Sequence, residues 1–232
     1  MGNPMTKFAI PDRAFSCTGS SFLVKNLCCG FFCLLSLSSF AQYPGYHSIT
    51  DLPAFKKQFT AQSLTVSTIT SNFTQEKILS ELTEKIISKG KFWFKRSDKV
   101  RIEYREPFFY LMVLNGGKML VRDDQKENKI NTSSNKLFQQ VNRIVLDCVQ
   151  GTILDSKDFS VLVFENDNSF LMEMTPSSRV LREFFQTIVL TVDKKDHSVR
   201  SIKMNEPLGD TTTIIFTDKK LNEPVPDAVF TL

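Results

Sequence analysis

The alternation of apolar and polar positions predicts that most of this chain forms β-strands. The clearest pair is Lys91–Arg96 and Lys99–Arg105, joined by the turn Ser97-Asp98. Phe92, Phe94, Val100, Ile102 and Tyr104 share one parity and the charged residues Lys91, Lys95, Lys99, Arg101, Glu103 and Arg105 take the other, which is typical of a sheet with one buried and one wet face. Arg96 is the exception, because this charge falls on an apolar position.

The same two-residue period predicts further strands along the chain. A hairpin of Phe108–Leu114 and Lys118–Arg122 turns at Gly116-Gly117, a dipeptide suited to the positive φ of a two-residue turn. The remaining predicted strands are Thr68–Gln75, Phe159–Glu165, Ser169–Thr175, Phe184–Asp193, Val199–Asn205, Thr211–Thr217 and a short last strand at Phe230. About ten strands without alternating helices favour one antiparallel sheet.

Two segments have helical spacing instead. Pro53–Ser63 follows Asp51 and repeats apolar residues at a helical period, and proline is tolerated in a first turn. Asn131–Gln150 has cap candidates at Thr132–Ser134 and ends at Gly151. Its apolar stripe consists of Leu137, Val141, Ile144, Val145 and Cys148. This second helix interrupts an otherwise continuous sheet.

The beginning of the chain has the pattern of a secretory leader. The apolar run Leu27–Ala41 follows Lys25 and closes with small residues at Ser39 and Ala41, the positions that a signal peptidase recognises. A transmembrane anchor is the alternative, but a span needs roughly 18 or more apolar residues and this run is shorter. We therefore expect a signal peptide over residues 1–41, cleaved after Ala41. The stretch ahead of the run is long for a leader, which suggests a misplaced start codon.

Cleavage would leave a single domain, residues 42–232, in the periplasm. The chain has 29 basic and 25 acidic residues, of which 26 and 24 remain after the leader is removed. This near-neutral balance argues against nucleic acid as a partner. Cys148 is the one cysteine left, so neither an internal disulfide nor a cysteine-based metal site is expected.

Residues suited to catalysis are scarce in the mature sequence. It contains no G-x-S-x-G elbow, no H-E-x-x-H and no glycine-rich phosphate loop. His47 and His197 are interpreted as solvated, and Cys148 as a small buried hydrophobe. We expect neither an enzyme nor a bound metal or cofactor. The apolar faces then have two interpretations, which periodicity does not separate. Sheet and helices pack together completely, or they enclose a cavity whose Phe and Met lining adapts to flexible apolar ligands.

A family resemblance favours the cavity. In order and spacing, the segments "NFTQEK", "GKFWFKRSDKVRIEY", "NGGKML", "MTP", "DTTTIIF" and "LNEPVPDAVFTL" resemble the periplasmic outer-membrane lipoprotein carrier family (LolA-like) over Asp51–Leu232. The most specific part is the aromatic strand ending in Lys95-Arg96, followed by Tyr104 and Pro107. The resemblance implies a mainly β fold, an open antiparallel half-barrel of about ten to eleven strands. An N-terminal helix and an inserted lid helix would cover it and enclose a hydrophobic cavity.

The resemblance also implies a function and a set of site residues. Proteins of this family receive the acyl chains of lipoproteins from an inner-membrane ABC releasing complex and pass them to an outer-membrane receptor. By position, Arg96 would hold the lid closed. In the family a proline usually follows this arginine, and Ser97 in its place would give a looser turn. We expect a monomer whose cavity is lined by Phe73, Phe92, Phe94, Val100, Ile102, Met112, Met119, Leu137 and Val141, with Lys95, Arg101 and Glu103 outside.

Two other functions are kept open. One is a periplasmic sensor or adaptor that uses the same half-barrel to detect lipid or mislocalised lipoprotein. The other is an enzyme acting on lipids, which the missing nucleophile and base disfavour.

Overall fold

A computed structural model describes residues 43–82, 84–96, 98–131, 143–144, 146–148 and 150–232 of the chain. Within these residues twelve strands form one open sheet, and all neighbouring strands are antiparallel. They are β1 (His47–Ser48), β2 (Thr68–Ile78), β3 (Lys85–Lys95), β4 (Lys99–Glu106), β5 (Tyr110–Asn115), β6 (Lys118–Asp123), β7 (Glu127–Asn131), β8 (Phe159–Glu165), β9 (Ser169–Pro176), β10 (Thr187–Asp193), β11 (Val199–Asn205) and β12 (Thr211–Leu221). Their order across the sheet is β1-β8-β9-β10-β11-β12-β2-β3-β4-β5-β6-β7, so β1 and β7 are its edges.

The predicted mainly β, open antiparallel fold is confirmed, with more strands than expected. The short edge strands β1 and β7 were not predicted, since two and five residues carry too little periodicity. The last strand predicted at Phe230 is wrong, because Asp227–Phe230 is a 3-10 helix. Pro224 and Pro226 precede it, and proline has no N–H to donate to a strand ladder.

The first helix, α1, spans Leu52–Leu64 and agrees with the predicted segment. Asp51 caps it, with its carboxylate accepting a hydrogen bond from the Ala54 N–H at 2.9 Å. Phe55 and Phe59 face the sheet and are almost fully buried there. This contact fixes α1 over the inner face of strands β8 to β10.

The second helix, α2, comprises residues 143–144, 146–148 and 150 in the described part of the chain. Its predicted start at Asn131 is wrong, because that residue ends β7. The cap candidates Thr132–Ser134 and the stripe residues Leu137, Val141 and Val145 lie outside the described residues. Gly151 has φ 73° and follows the helix as predicted. A third, four-residue helix, α3 (Arg179–Arg182), joins β9 to β10.

Both faces of the sheet are apolar around β5 and β6. On the inner face Phe94, Val100, Leu114 and Met119 form a buried cluster. On the outer face the C-terminal segment Val225–Leu232 covers a second cluster, made of Trp93, Phe109, Leu111, Val113, Leu120, Val225, Val229, Phe230 and Leu232. The outer face is therefore not simply wet in this region, contrary to the alternation seen in β3 and β4. The near-continuous apolar run of β5 is the sequence signal of a strand buried on both sides.

Candidate functional site

The inner face of the sheet holds a cavity of about 290 Å³. Its wall is formed by strands β2 to β4 and β9 to β12, by the end of α1 and by α2. The apolar lining residues are Val66, Ile69, Phe73, Phe92, Ile102, Ile144, Cys148, Met174, Phe185, Ile188, Leu190, Val199, Ile202, Met204, Ile214, Phe216 and Leu221. The polar lining residues are Gln62, Ser63, Ser71, Tyr104, His197, Ser198 and Lys219. The cavity is thus a mainly apolar container with a small polar part.

Aromatic rings shape the part of the wall formed by β2, β3, β4 and β12. Phe73 meets Tyr104 edge to face at 5.0 Å between ring centroids, and Phe92 meets Phe216 at 5.8 Å. The Tyr104 hydroxyl donates to Gln75 at 2.8 Å, and burial raises the pKa of Tyr104 to about 12. This tyrosine therefore stays neutral at ordinary pH and brings no charge to the wall.

Gly90 makes room for the Phe73 ring. The two residues are paired across β2 and β3, and β3 has an irregular register at this point against β4. A Cβ at Gly90 would lie 2.6 Å from the Phe73 ring and 2.2 Å from the Glu103 carbonyl oxygen. Only glycine fits this close approach, so the position of the aromatic wall depends on it.

A β-bulge brings a lysine into the cavity. The register of β12 against β2 shifts around Asp218 and Lys219, and Asp218 has φ 50°. Phe216 and Lys219 consequently both face the cavity, although their spacing of three would put them on opposite faces of a regular strand. Lys220 is exposed on the other side.

Lys219 belongs to a hydrogen-bonded cluster with the β10–β11 turn. Its ammonium donates to the Ser198 hydroxyl oxygen. Ser198 in turn donates to one Asp196 carboxylate oxygen through its hydroxyl at 2.6 Å and its N–H at 2.9 Å. Burial opposes the charge of Asp196, yet the hydrogen bonds from Ser198 and the nearby Lys219 cation hold the pKa of Asp196 below its usual value. Ser198 is thus fixed in place by two charged neighbours.

Two polar atoms in the cavity wall are buried without a hydrogen-bond partner among the described residues, namely Ser71 Oγ and His197 Nδ1. His197, which was predicted to be solvated, is partly buried: its ring lies 6.0 Å from the Phe170 ring and lines the cavity, and its backbone is left-handed with φ 55°. Burial lowers the pKa of His197, with Asp196 and Asp193 opposing the shift. The imidazole is accordingly neutral at pH 7.

Arg96 binds the end of α1. Its guanidinium donates to the carbonyl oxygens of Ser63 at 2.9 Å, Leu64 at 3.1 Å and Val66 at 2.8 and 3.0 Å. The Ser63 and Leu64 carbonyls belong to the last turn of α1, where the negative end of the helix dipole lies, and the Val66 carbonyl lies two residues beyond the helix. Arg96 therefore connects the end of β3 to α1. Within the described residues its guanidinium does not bind the inserted helix, which was the predicted lid.

The two helices touch each other at Gly151. The Thr60 hydroxyl donates to the Gly151 carbonyl oxygen at 3.1 Å. A Cβ at Gly151 would lie 2.6 Å from the Ser63 hydroxyl oxygen and 3.1 Å from the Thr60 Cα atom. The end of α1 is thus bound both by Arg96, which follows β3, and by Gly151, which follows α2.

The structure places the predicted lining residues in two groups. Phe73, Phe92 and Ile102 line the cavity. Phe94, Val100, Met112 and Met119 share the inner face but pack in the neighbouring cluster, against which Leu146 of α2 also lies. Strand parity placed these seven residues on one face, but it did not show which of them lie at the cavity. Leu137 and Val141 lie outside the described residues.

The outer residues predicted with them are covered by the C-terminal segment. Lys95 donates to the Val225 carbonyl oxygen at 2.9 Å, and Arg101 to the Val229 carbonyl oxygen at 3.1 Å. Arg101 also lies over the Trp93 ring and binds Glu103 at 2.6 Å. Burial opposes the charge of Glu103, but its bonds to Arg101 and Arg105 keep the pKa of this carboxyl below its usual value.

The groups with reactive side chains are dispersed or inert in the part of the chain that the structure describes. No cluster of three or more His, Cys, Asp or Glu residues suited to a metal is found there. Burial, reinforced by the Asp147 carboxylate, raises the pKa of Cys148 to about 12 and keeps it a thiol. Of the described helices, none is long and apolar enough to span a membrane.

The described residues thus form an open antiparallel sheet whose inner face holds a mainly apolar cavity, the kind of site in which small apolar ligands bind in other proteins. Residues 64–232 match the family model described as "Outer membrane lipoprotein carrier protein LolA". The chain belongs to this family, which is one of carriers and binding proteins.

Solved structures with a similar fold come from several bacteria. A LolA superfamily protein from Nitrosomonas europaea is 13% identical, with 76% of this chain and 97% of that chain covered and a TM-score of 0.41. An outer membrane lipoprotein-sorting protein domain from Vibrio parahaemolyticus is 9% identical, with 76% and 94% covered and a TM-score of 0.41. MucB in the MucA/MucB complex of Pseudomonas aeruginosa is 13% identical, with 76% and 59% covered and a TM-score of 0.38. No curated protein matches the chain in sequence.

Proposed function

We propose that this protein is a periplasmic carrier that shields the acyl chains of lipoproteins and transfers them from an inner-membrane ABC releasing complex to the outer membrane. The observation that carries the proposal is the apolar cavity within a chain of the lipoprotein carrier family. The carrier acts as a monomer without a cofactor and hands its cargo to an outer-membrane receptor or to the membrane itself. Its leader, residues 1–41, directs it to the periplasm.

The energetics of an acyl chain explain why a container is needed. A chain of about sixteen carbons gains on the order of 10 kcal/mol from leaving water, at ~0.8 kcal/mol per methylene. Such a chain does not cross an aqueous compartment unprotected at a useful rate. A cavity lined by Met174, Met204 and the ring of Phe216 offers an adaptable apolar surface in place of water.

The carrier also has to release its cargo, and the contacts of Arg96 suit this step. They hold α1 at the cavity wall through charge-assisted hydrogen bonds that share the N–H groups of two guanidinium nitrogens and together are worth about 2 kcal/mol. An amount of this size is within reach of a competing partner surface. We therefore assign Arg96 the role of closing the cavity through α1.

Native mass spectrometry of the protein purified from its host envelope tests the carrier function. A lipoprotein or lipid adduct is the expected result. An empty protein held by a stable protein partner would identify an adaptor instead, and an empty protein that hydrolyses esters would identify an enzyme. Either of these two results contradicts the proposal.

A matched pair of lysine substitutions tests the cavity itself. Ile214 lines the cavity, whereas the next residue of β12, Ile215, is 51% exposed on the other face. Ile214→Lys should abolish the adduct, since an unpaired charge in an apolar pocket is costly. Ile215→Lys should leave it unchanged. Equal adduct levels in both variants would mean that this cavity is not the acyl-chain site.

A further inference from the structure

The polar end of the cavity, which we define as Ser71, His197, Ser198 and Lys219, offers groups that an alkyl chain does not use. We propose that this polar end binds the anionic headgroup of a single-chain amphiphile whose alkyl chain occupies the apolar part of the cavity. The headgroup is a carboxylate or a phosphate, which present the same anionic oxygens. This inference rests on the proposed function in one respect only, namely that the cavity accepts acyl chains.

The position of Lys219 is the first support. The bulge in β12 turns this side chain from the outer face into the cavity, where the wall beside it is apolar. Among the described residues its ammonium donates only to Ser198 and forms no ion pair with a carboxylate. Two of its three N–H groups therefore remain for another acceptor. The nearby Asp196 carboxylate reaches Lys219 only through Ser198, so an anionic oxygen in the cavity would supply a direct acceptor for the ammonium.

The two unpartnered polar atoms are the second support. Ser71 Oγ lies in the wall on the β2 side of the same bulge, and His197 Nδ1 lies in the turn that carries Ser198. Buried polar atoms nearly always have a partner, and each exception calls for an explanation. A hydroxyl and a neutral imidazole can each donate one hydrogen bond. A headgroup with several oxygens would satisfy them together with Lys219.

The carboxylates near the polar end do not compete strongly for these donors. Asp196 already accepts both hydrogen bonds of Ser198, and Asp193 accepts from the Lys195 N–H at 2.8 Å and pairs with Arg200 at 3.5 Å. Ser198 is 7% exposed and is held by these contacts, so the acceptor that orients the Lys219 ammonium is in place before a ligand arrives.

The size of the cavity suits a small amphiphile. Its volume of about 290 Å³ lies just below the range of ~300–1,000 Å³ that small-molecule pockets span. A ligand with one chain and one charged head uses both parts of such a site. The chemistry expected is thus that of a fatty acid or a single-chain phospholipid.

Competition binding tests the proposal with the purified full protein. Nile red, a neutral apolar dye, is the reporter that should occupy the cavity, and dodecanoate, dodecyl phosphate and dodecanol are the competitors. These three probes share one chain length and differ in the head. We expect the anionic probes to bind about tenfold or more tightly than dodecanol, the ratio that one charge-assisted hydrogen bond produces. The better of the two anions distinguishes a fatty acid from a phosphate lipid as the ligand class.

Two lysine variants complete the experiment. Lys219→Met should remove the preference for anionic heads while dodecanol binds as before. Lys220→Met is the matched control, because Lys220 is exposed and pairs with Glu223 at 3.2 Å, and it should keep the preference. Equal binding of all three probes to the wild type, or a preference that survives Lys219→Met, overturns the headgroup site and leaves the carrier function standing. Failure of every probe to displace the dye overturns the headgroup site and the acyl-chain cavity together.

Discussion

Single charged residues in this chain take positions that the simple alternation of the strands does not explain. Arg96 occupies an apolar position at the end of β3, and the structure shows why a charge is stable there. Four hydrogen bonds of its guanidinium end on carbonyl oxygens at the end of α1 and just beyond it. A planar donor with five N–H groups suits such a cluster of carbonyls better than an ammonium does.

Arg96→Leu should loosen α1 while the cavity wall remains. The expected loss in the free energy of unfolding is about 2 kcal/mol, since the helix carbonyls lose their charged donor. Hydrogen exchange of the α1 amides should accelerate more than that of the β9 and β10 amides. In a delivery assay with a fluorescent lipoprotein, loaded carrier should accumulate and transfer to the outer membrane should fall.

Arg96→Lys should restore part of both effects, because a point charge reaches fewer of the carbonyls. Arg179→Gln is a suitable control, since the Arg179 side chain is 92% exposed and pairs with Glu183 only at 4.0 Å. If Arg96→Leu exchanged and delivered like the wild type, Arg96 would be a surface arginine without a role in closing the cavity.

At the scale of elements, the contact between α1 and the turn after α2 depends on a glycine. Gly151 combines a positive φ with a close approach to Ser63 and Thr60. Gly116, in the β5–β6 turn, also has a positive φ, 57°, but a Cβ there would meet no atom within 4 Å. At both positions a residue with a side chain would have a strained backbone. Only at Gly151 would the side chain also overlap neighbouring atoms.

Gly151→Ala and Gly116→Ala separate these two effects. Gly116→Ala should cost about 1 kcal/mol in the free energy of unfolding, the strain of a left-handed alanine. Gly151→Ala should cost about 1–3 kcal/mol more, because the added methyl group overlaps α1. Urea denaturation of both variants measures the difference. Equal midpoints would mean that α1 shifts away without cost and that the contact at Gly151 does not position it.

Sequence periodicity predicted the long elements well and missed those that depend on tertiary contacts. The hairpin at Gly116-Gly117 and the helix Leu52–Leu64 follow from local pattern and turn chemistry. The bulge at Lys219 has no such signal, since a register shift of one residue depends on how β12 pairs with a strand far away in sequence. Lys219 and Ser198 were therefore missed as cavity residues, and His197 was assigned to solvent.

At the scale of the whole molecule, the sheet is covered on both sides around β5 and β6. The helices and the cavity lie on the inner face, and the segment Val225–Leu232 lies on the outer face. Asn115 donates to the Phe230 carbonyl oxygen at 3.0 Å, and Arg101 and Lys95 bind the carbonyls of this segment as well. Polar side chains of β3, β4 and β5 thus bind the backbone of the apolar C-terminal segment Val225–Leu232.

Phe230 is the fully buried residue of the C-terminal segment Val225–Leu232. Phe230→Ala should lower the free energy of unfolding by about 3–5 kcal/mol, the cost of an aromatic cavity in a packed core. Trp93, the single tryptophan of the chain, packs against the same cluster. Its fluorescence should shift to longer wavelength in the folded variant as water reaches it.

Leu208→Ala is the control, since Leu208 is 89% exposed, and it should change stability by less than about 0.5 kcal/mol and leave the emission unchanged. Nile red binding should persist in folded Phe230→Ala, because the sheet separates the outer cluster from the cavity. Loss of dye binding without loss of stability would instead show that the C-terminal segment acts on the cavity through the sheet.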